Sequence, residues 1–230
     1  MKLNAVEKLV VNNPARALSQ WRYLTPRLER LGGKLGGGRA LEVGCGRGIG
    51  VEIIFERFGA DVVEAFDVDP DMVDRARRRL DGYPSDRLRL RVGDATAIES
   101  ADAAFDAVFD FGAIHHVADW RHAVSEVRRV LKPGGRFYFV EATSRALGRW
   151  VSRTFLEHPP PERWFSAEEF VSELERRNLV AQADFLARRR DRFASMGLDL
   201  IGVGRMQQTR YALETGRFAA RSNLRTSQDG

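Results

Sequence analysis

The chain has one cysteine, Cys45, in 230 residues. An internal disulfide framework and a cysteine-based zinc site are therefore both excluded. A reducing, cytoplasmic location is expected. No apolar run approaches the roughly 18 residues that a membrane-spanning helix needs. The first residues, MKLNAVEKLVVNN, break their apolar stretch with Glu7 and Lys8 and do not read as a secretory signal. Lysine is scarce, at four of the 37 basic residues. The net charge is +5, but acids and bases are mixed along most of the chain, as on a solvated surface. No G-x-x-x-x-G-K-[ST] occurs, so a P-loop is excluded. Nor does any His/carboxylate set stand at ligand spacing, so no metal is expected.

What is present is ordinary globular material, 43% hydrophobic and 30% charged. Asn13-Pro14 reads as a helix start, with a helix to about Leu24 that Thr25-Pro26 restarts. LGGKLGGGR, residues 31–39, holds five glycines and reads as a flexible connection. From Ala40 onward strands and helices alternate. Strands are expected at 40–43, 62–66, 88–92, 105–111 and 137–140. Helices are expected with Val51, Ile54, Phe55 and Phe58 on one face, from Asp69-Pro70, and from Asp119. Leu88, Leu90 and Val92 alternate with arginine, as on an edge strand. Lys132-Pro133-Gly134-Gly135 reads as a turn. Residues 143–165 read as irregular, Ser166 and Glu169 as a capping box, and 180–187 and 198–206 as strands. This alternation predicts a doubly wound parallel sheet.

The chemistry concentrates in Gly44-Cys45-Gly46-Arg47-Gly48-Ile49-Gly50, between the first strand and the first helix. Glycines there let a ligand approach bare backbone at a helix N-terminus. The dinucleotide fingerprint G-x-G-x-x-G fails, because its third glycine falls on Ile49. NAD-dependent oxidation is therefore not expected. Asp67 closes the second strand, where an acid can accept hydrogen bonds from ribose hydroxyls. Asp69, before Pro70, is assigned mainly to the helix cap.

ALEVGCGRGIG, AFDVDPDMV, RVGDATAI, FDAVFDFGAIHHV and LKPGGRFYFVE together resemble the motif series of class I S-adenosylmethionine-dependent methyltransferases. The likeness is close over 40–142 and looser over 166–206. It is nearest to the small-molecule branch with the quinone-biosynthesis and sterol methyltransferases. The resemblance implies a Rossmann-like α/β fold: a doubly wound, mostly parallel seven-stranded sheet with helices on both faces, an N-terminal helical arm and a lid insertion. It implies an arm and connection at 1–38 and a methyltransferase domain at 39–206 with its lid at about 143–165. A basic, partly disordered tail would follow at 207–230.

The implied cofactor is S-adenosylmethionine. By the resemblance, Glu42 and the backbone of Gly44 and Gly46 hold its methionyl part, Cys45 and Gly48 belong to the same cofactor-binding loop, and Asp67 takes the ribose hydroxyls. Val68 and Met72 flank the adenine, Asp94 and Ala95 meet its amino edge, and the Phe111 carbonyl meets the methionyl amine. His115 is the candidate base, used only if the acceptor carries a proton of high pKa. His116 matches a recurring histidine without that role. Trp21, Tyr23, His116, Arg145, Trp150 and Trp164 are expected to enclose the acceptor.

The implied function is methyl transfer to a small, aromatic or lipophilic acceptor by direct displacement, in a monomer or homodimer. No nucleic-acid partner and no membrane span are expected. The alternatives are a nucleic-acid methyltransferase, on the strength of Arg188-Arg189-Arg190-Asp191-Arg192, and a cofactor-binding scaffold without turnover.

Overall fold

A computed structural model of the chain describes residues 14–147, 160–185 and 198–207. The arm begins with α1 (Pro14–Ser19), widens into one π-helical turn (Gln20–Leu24) and continues as α2 (Thr25–Gly32). The Thr25 hydroxyl donates to the Gln20 carbonyl at 2.7 Å. Strand β1 (Arg39–Val43) leads into α3 (Ile49–Ile53), which runs on as a second π turn (Ile54–Phe58). Then come β2 (Val62–Asp67), α4 (Pro70–Arg79), β3 (Leu88–Val92), β4 (Phe105–Asp110) and α5 (Trp120–Val130). The chain continues through β5 (Leu131–Glu141), α6 (Ser144–Leu147), α7 (Ala167–Arg176), β6 (Leu179–Phe185) and β7 (Leu200–Met206).

The seven strands form one sheet in the order β3-β2-β1-β4-β5-β7-β6. Strands β1 to β5 pair in parallel, and β7 runs antiparallel to both β5 and β6. The sheet is therefore seven-stranded and mostly parallel, with β3 on an edge as its alternating arginines predict. Among the described residues no helix is long and apolar enough to cross a membrane.

Side chains leave successive strand positions toward opposite faces, so the sheet carries two cores. On one face Phe58, Phe109 and Tyr138 pack with ring centroids 4.6–5.0 Å apart, together with Leu24, Leu28 and Val51. On the other, Leu41, Val108 and Phe139 meet Trp120 and Val124 of α5 and Phe170 of α7. The predicted caps form: Asp69 accepts from the Asp71 amide, Asp119 from the His122 amide, and Ser166 and Glu169 close their reciprocal box.

Three expectations need correction. The Lys132–Gly135 stretch lies inside the span of β5, where the pairing with β4 shifts register between Phe105 and Ala107. Gly134, at φ 81°, makes an irregularity within the strand there rather than a turn before it. The glycine-rich connection is docked against β5: the Tyr138 hydroxyl donates to the carbonyls of Gly32 and Gly33 at 3.1 and 2.9 Å. A side chain at Gly32 would overlap the Tyr138 ring, so this glycine serves close packing. The 143–165 stretch contains α6 and a 3₁₀ turn (Pro161–Arg163). The Ser144 amide donates to the Phe165 carbonyl at 2.7 Å and ties the two described ends together. Trp150, the 188–192 arginines and the tail beyond Gln207 lie outside the described residues.

Candidate functional site

Strand order reverses between β1 and β4, and ligands of open α/β sheets bind beyond the carboxyl ends of the strands at such a point. A cavity of about 1000 Å³, measured out to its open mouth, lies there. Its floor is the loop after β1. Gly44, Gly46 and Gly48 have φ of 68°, 51° and 88°, all in the left-handed region. A Cβ at Gly44 would overlap that of Ala113. Gly48 does not line the cavity; a Cβ there would meet Leu80 at 2.7 Å, so it lets α3 start against the end of α4. Gly50 does line it, and a side chain there would overlap the Glu42 carboxyl.

Asp67 organises this floor. Its Oδ2 accepts from the Gly46 amide at 2.9 Å and its Oδ1 from the Asp69 amide at 2.9 Å. Each carboxylate oxygen has a second lone pair, so Asp67 can still accept from a ligand's hydroxyls. Burial raises its pKa, and the two backbone donors oppose that rise. Glu42 is buried at 2% exposure, and its Oε2 has no hydrogen-bond partner among the described residues. Burial raises its pKa well above the usual range, and the nearby Asp67 and Asp110 raise it further. An unpartnered buried carboxyl oxygen on a bare glycine cradle calls for a cationic donor. The methionyl ammonium of S-adenosylmethionine is such a donor, and Asp67 suits its ribose, so the residues present fit that cofactor.

At the other end, Val68, Asp94 and Ala95 line the cavity. Asp94 Oδ1 accepts from both the amide and the hydroxyl of Thr96, each at 2.8 Å, and these bonds lower its pKa. Met72 is fully buried in α4 and does not reach the cavity. Phe111 forms part of the wall, and its carbonyl accepts from Arg16 Nη2 at 3.3 Å. Cys45 lines the cavity with a buried thiol whose pKa is pushed up by burial and by Glu42 and Asp67. It is held as the thiol, which is the unreactive form.

Of the two histidines, only His115 is placed differently from expectation. His116 lines the cavity, whereas His115 does not. The His115 ring is buried and its Nδ1 bonds the Glu141 carboxylate at the end of β5. The candidate base thus faces the carboxyl cluster instead of the mouth.

The expected aromatic enclosure also differs, since none of its described members except His116 lines the cavity. Trp21 packs on the helical side of the core, where its carbonyl accepts from Arg57 Nη1 at 3.4 Å. Tyr23 carries the Arg27 guanidinium 4.2 Å from its ring centroid. Trp164 packs against the same core, and Arg145 is exposed. The arm reaches the cavity through Arg16 and Gln20 instead. Sequence reasoning passed over both, and it gave Arg47 no role although that residue lines the cavity too. A charged residue five positions before Trp21, on the same helical arm, was the available signal for Arg16.

A crossover fold with a glycine cradle and an acid at the next strand end defines a Rossmann-like nucleotide-binding arrangement. Residues 41–139 match the Methyltransferase domain family. The chain is 36% identical over 118 residues to the 27-O-demethylrifamycin SV methyltransferase of Amycolatopsis mediterranei, covering 49% of this chain and 43% of that protein. It is 33% identical over 125 residues to the demethylmenaquinone methyltransferase of Deinococcus radiodurans, covering 54% and 52%. The chain thus spans about half the length of these curated relatives. An S-adenosylmethionine-dependent methyltransferase from Mesorhizobium loti shares the fold with a TM-score of 0.63 at 19% identity, covering 85% of this chain and 99% of that one.

Proposed function

We propose that this protein transfers a methyl group from S-adenosylmethionine to a small, aromatic or lipophilic acceptor. The observation that carries the reading is the pairing of a bare glycine cradle with two carboxylates, Asp67 and Glu42, at the strand-order reversal. The relatives named for rifamycin and menaquinone precursors support a lipophilic acceptor. When bound, the cofactor supplies an electrophilic methyl on a sulfonium.

Asp67 would hold the ribose hydroxyls, Glu42 the methionyl ammonium, and Val68, Asp94 and Ala95 the adenine side. Phe111 offers an aromatic wall, and a ring face attracts a neighbouring cation. The protein's task in a direct displacement is alignment, worth up to about 7–11 kcal/mol for well-placed reactants. His116 is the imidazole that faces the cavity, so it would orient the acceptor or hold its proton. His115, turned to Glu141, supports the wall.

Calorimetric titration with S-adenosylhomocysteine, with NADH as control, tests the reading. Saturable binding near one per chain, lost in Asp67→Ala and absent with NADH, is the expected result. A folded protein that takes up neither compound refutes it.

A further inference from the structure

Asp110 ends β4 and Glu141 ends the neighbouring β5, and both side chains are fully buried. Asp110 Oδ1 accepts from the amides of Gly112 and Ala113 at 3.2 and 2.8 Å. Glu141 accepts from the amides of Ile114, His115 and Ala142 at 2.7, 3.3 and 3.2 Å, and also holds the His115 ring. Four of these five amides belong to the loop that sets Phe111, Gly112, Ala113, His116 and Val117 into the cavity wall. The loop therefore hangs from two carboxyls behind it.

Asp110 Oδ2 is buried and meets no donor among the described residues. Beside it lies the carboxyl of Glu141, which ends the adjacent paired strand and holds the next two amides of the same loop, those of Ile114 and His115. Two carboxyl oxygens bond each other only when one carries a hydrogen. We propose that Asp110 and Glu141 are positioning residues that share one proton, and that this proton holds the 111–117 wall in its cofactor-binding shape.

Burial raises the pKa of both groups, that of Asp110 well above the usual carboxylate range, and the charge of Glu141 adds to it. The other charged groups facing the pair are His115 on its 3₁₀ turn, Arg16 of α1 and Glu42 of β1. Asp199 turns its carboxylate to the Thr143 amide and hydroxyl instead. With the proton gone, two like charges adjoin in a fully buried site, and two like charges so placed cannot both persist unrelaxed. The element free to yield is the loop whose amides they hold.

This inference rests on the assignment of the cavity to the cofactor. S-adenosylhomocysteine affinity is measured from about pH 7 to about pH 9.5 for the wild type and for Asp110→Asn. The amide keeps a hydrogen facing Glu141 at every pH, and its oxygen still accepts from Gly112 and Ala113. The ligand's own amine titrates in both proteins and cancels in the ratio of affinities. The wild type is expected to weaken relative to Asp110→Asn, by up to about tenfold per pH unit once the proton leaves. Glu141→Gln, which also removes the shared proton, is expected to flatten the profile likewise. A ratio that stays constant with both variants overturns the inference, as does failure of both to fold. Absence of binding by the folded wild type at every pH overturns the cavity assignment first, and the inference with it.

Discussion

Replacing Asp67 by alanine removes the acceptor at the centre of the site. Its two carboxylate oxygens already hold the amides of Gly46 and Asp69, each at 2.9 Å. They are thus aimed before any ligand arrives, and little ordering cost remains for binding. A hydrogen bond to a charged group contributes about 1.5–3 kcal/mol net. Asp67 is partly exposed, so the lower value applies to each of two ribose hydroxyls, giving about 3 kcal/mol. At 1.4 kcal/mol per decade, the S-adenosylhomocysteine dissociation constant should rise about 100-fold. The same substitution strands two amide donors, at about 1 kcal/mol each, so the melting temperature should also fall by several degrees. Calorimetry gives the affinity and circular dichroism the melting curve. Affinity within about threefold of wild type, in a folded variant, refutes the ribose assignment whatever happens to the melting temperature. The carboxylate form is the one that binds, and burial raises its pKa. Affinity should therefore fall on acidification, and begin to fall at a higher pH than a free aspartate would give.

Gly44→Ala places a Cβ at φ 68° and onto Ala113, so about 1–2 kcal/mol of backbone strain is added to a steric overlap. Its melting temperature and its S-adenosylhomocysteine affinity should both drop, and an unchanged affinity would show that the loop shape is not needed. His116→Ala should lower turnover with S-adenosylhomocysteine affinity within a few-fold, whereas His115→Ala should lower the melting temperature because Glu141 loses a buried partner. Steady-state kinetics and thermal melts separate the two, and a reversed pattern would restore His115 to the reaction. Ser166→Ala removes a capping-box acceptor and should cost about 1 kcal/mol in denaturant unfolding without touching the cofactor site. Full stability in that variant would show that the start of α7 is held by packing alone.

Much of the fold was legible because its signals are local. Asp69-Pro70 caps α4, and Ser166 with Glu169 caps α7, through bonds closed within three residues. The alternation of Leu88, Leu90 and Val92 with arginine marks β3 as an edge without reference to any other strand. The Lys132–Gly135 stretch misled for the converse reason. Pro-Gly is a turn signal locally, yet the segment lies between two pairings of β5 with β4, Phe105 with Leu131 and Ala107 with Arg136, as an irregularity inside the strand's span. The site divides in the same way. Glu42, Gly44, Cys45, Gly46, Asp67, Val68, Asp94, Ala95 and Phe111 line the cavity, and each sits at a strand end or in the loop after it, where a local signal marks it. Met72 and Gly48 were carried along by the motif, and both pack inside instead.

The sequence by itself determined the order and type of the elements, the glycine cradle and the acid at the end of β2. Periodicity, caps and backbone freedom act over a few residues and leave their mark in a few residues. Only the tertiary structure decided which of two adjacent histidines faces the cavity. It alone brought Arg16 to the carbonyl of Phe111, 95 positions away, and Asp110 to Glu141 across paired strands. Those choices depend on strand order, on register and on the side of the sheet to which a side chain turns. They also depend on which buried charge needs a partner once water is excluded, and that need arises only when distant segments have packed together.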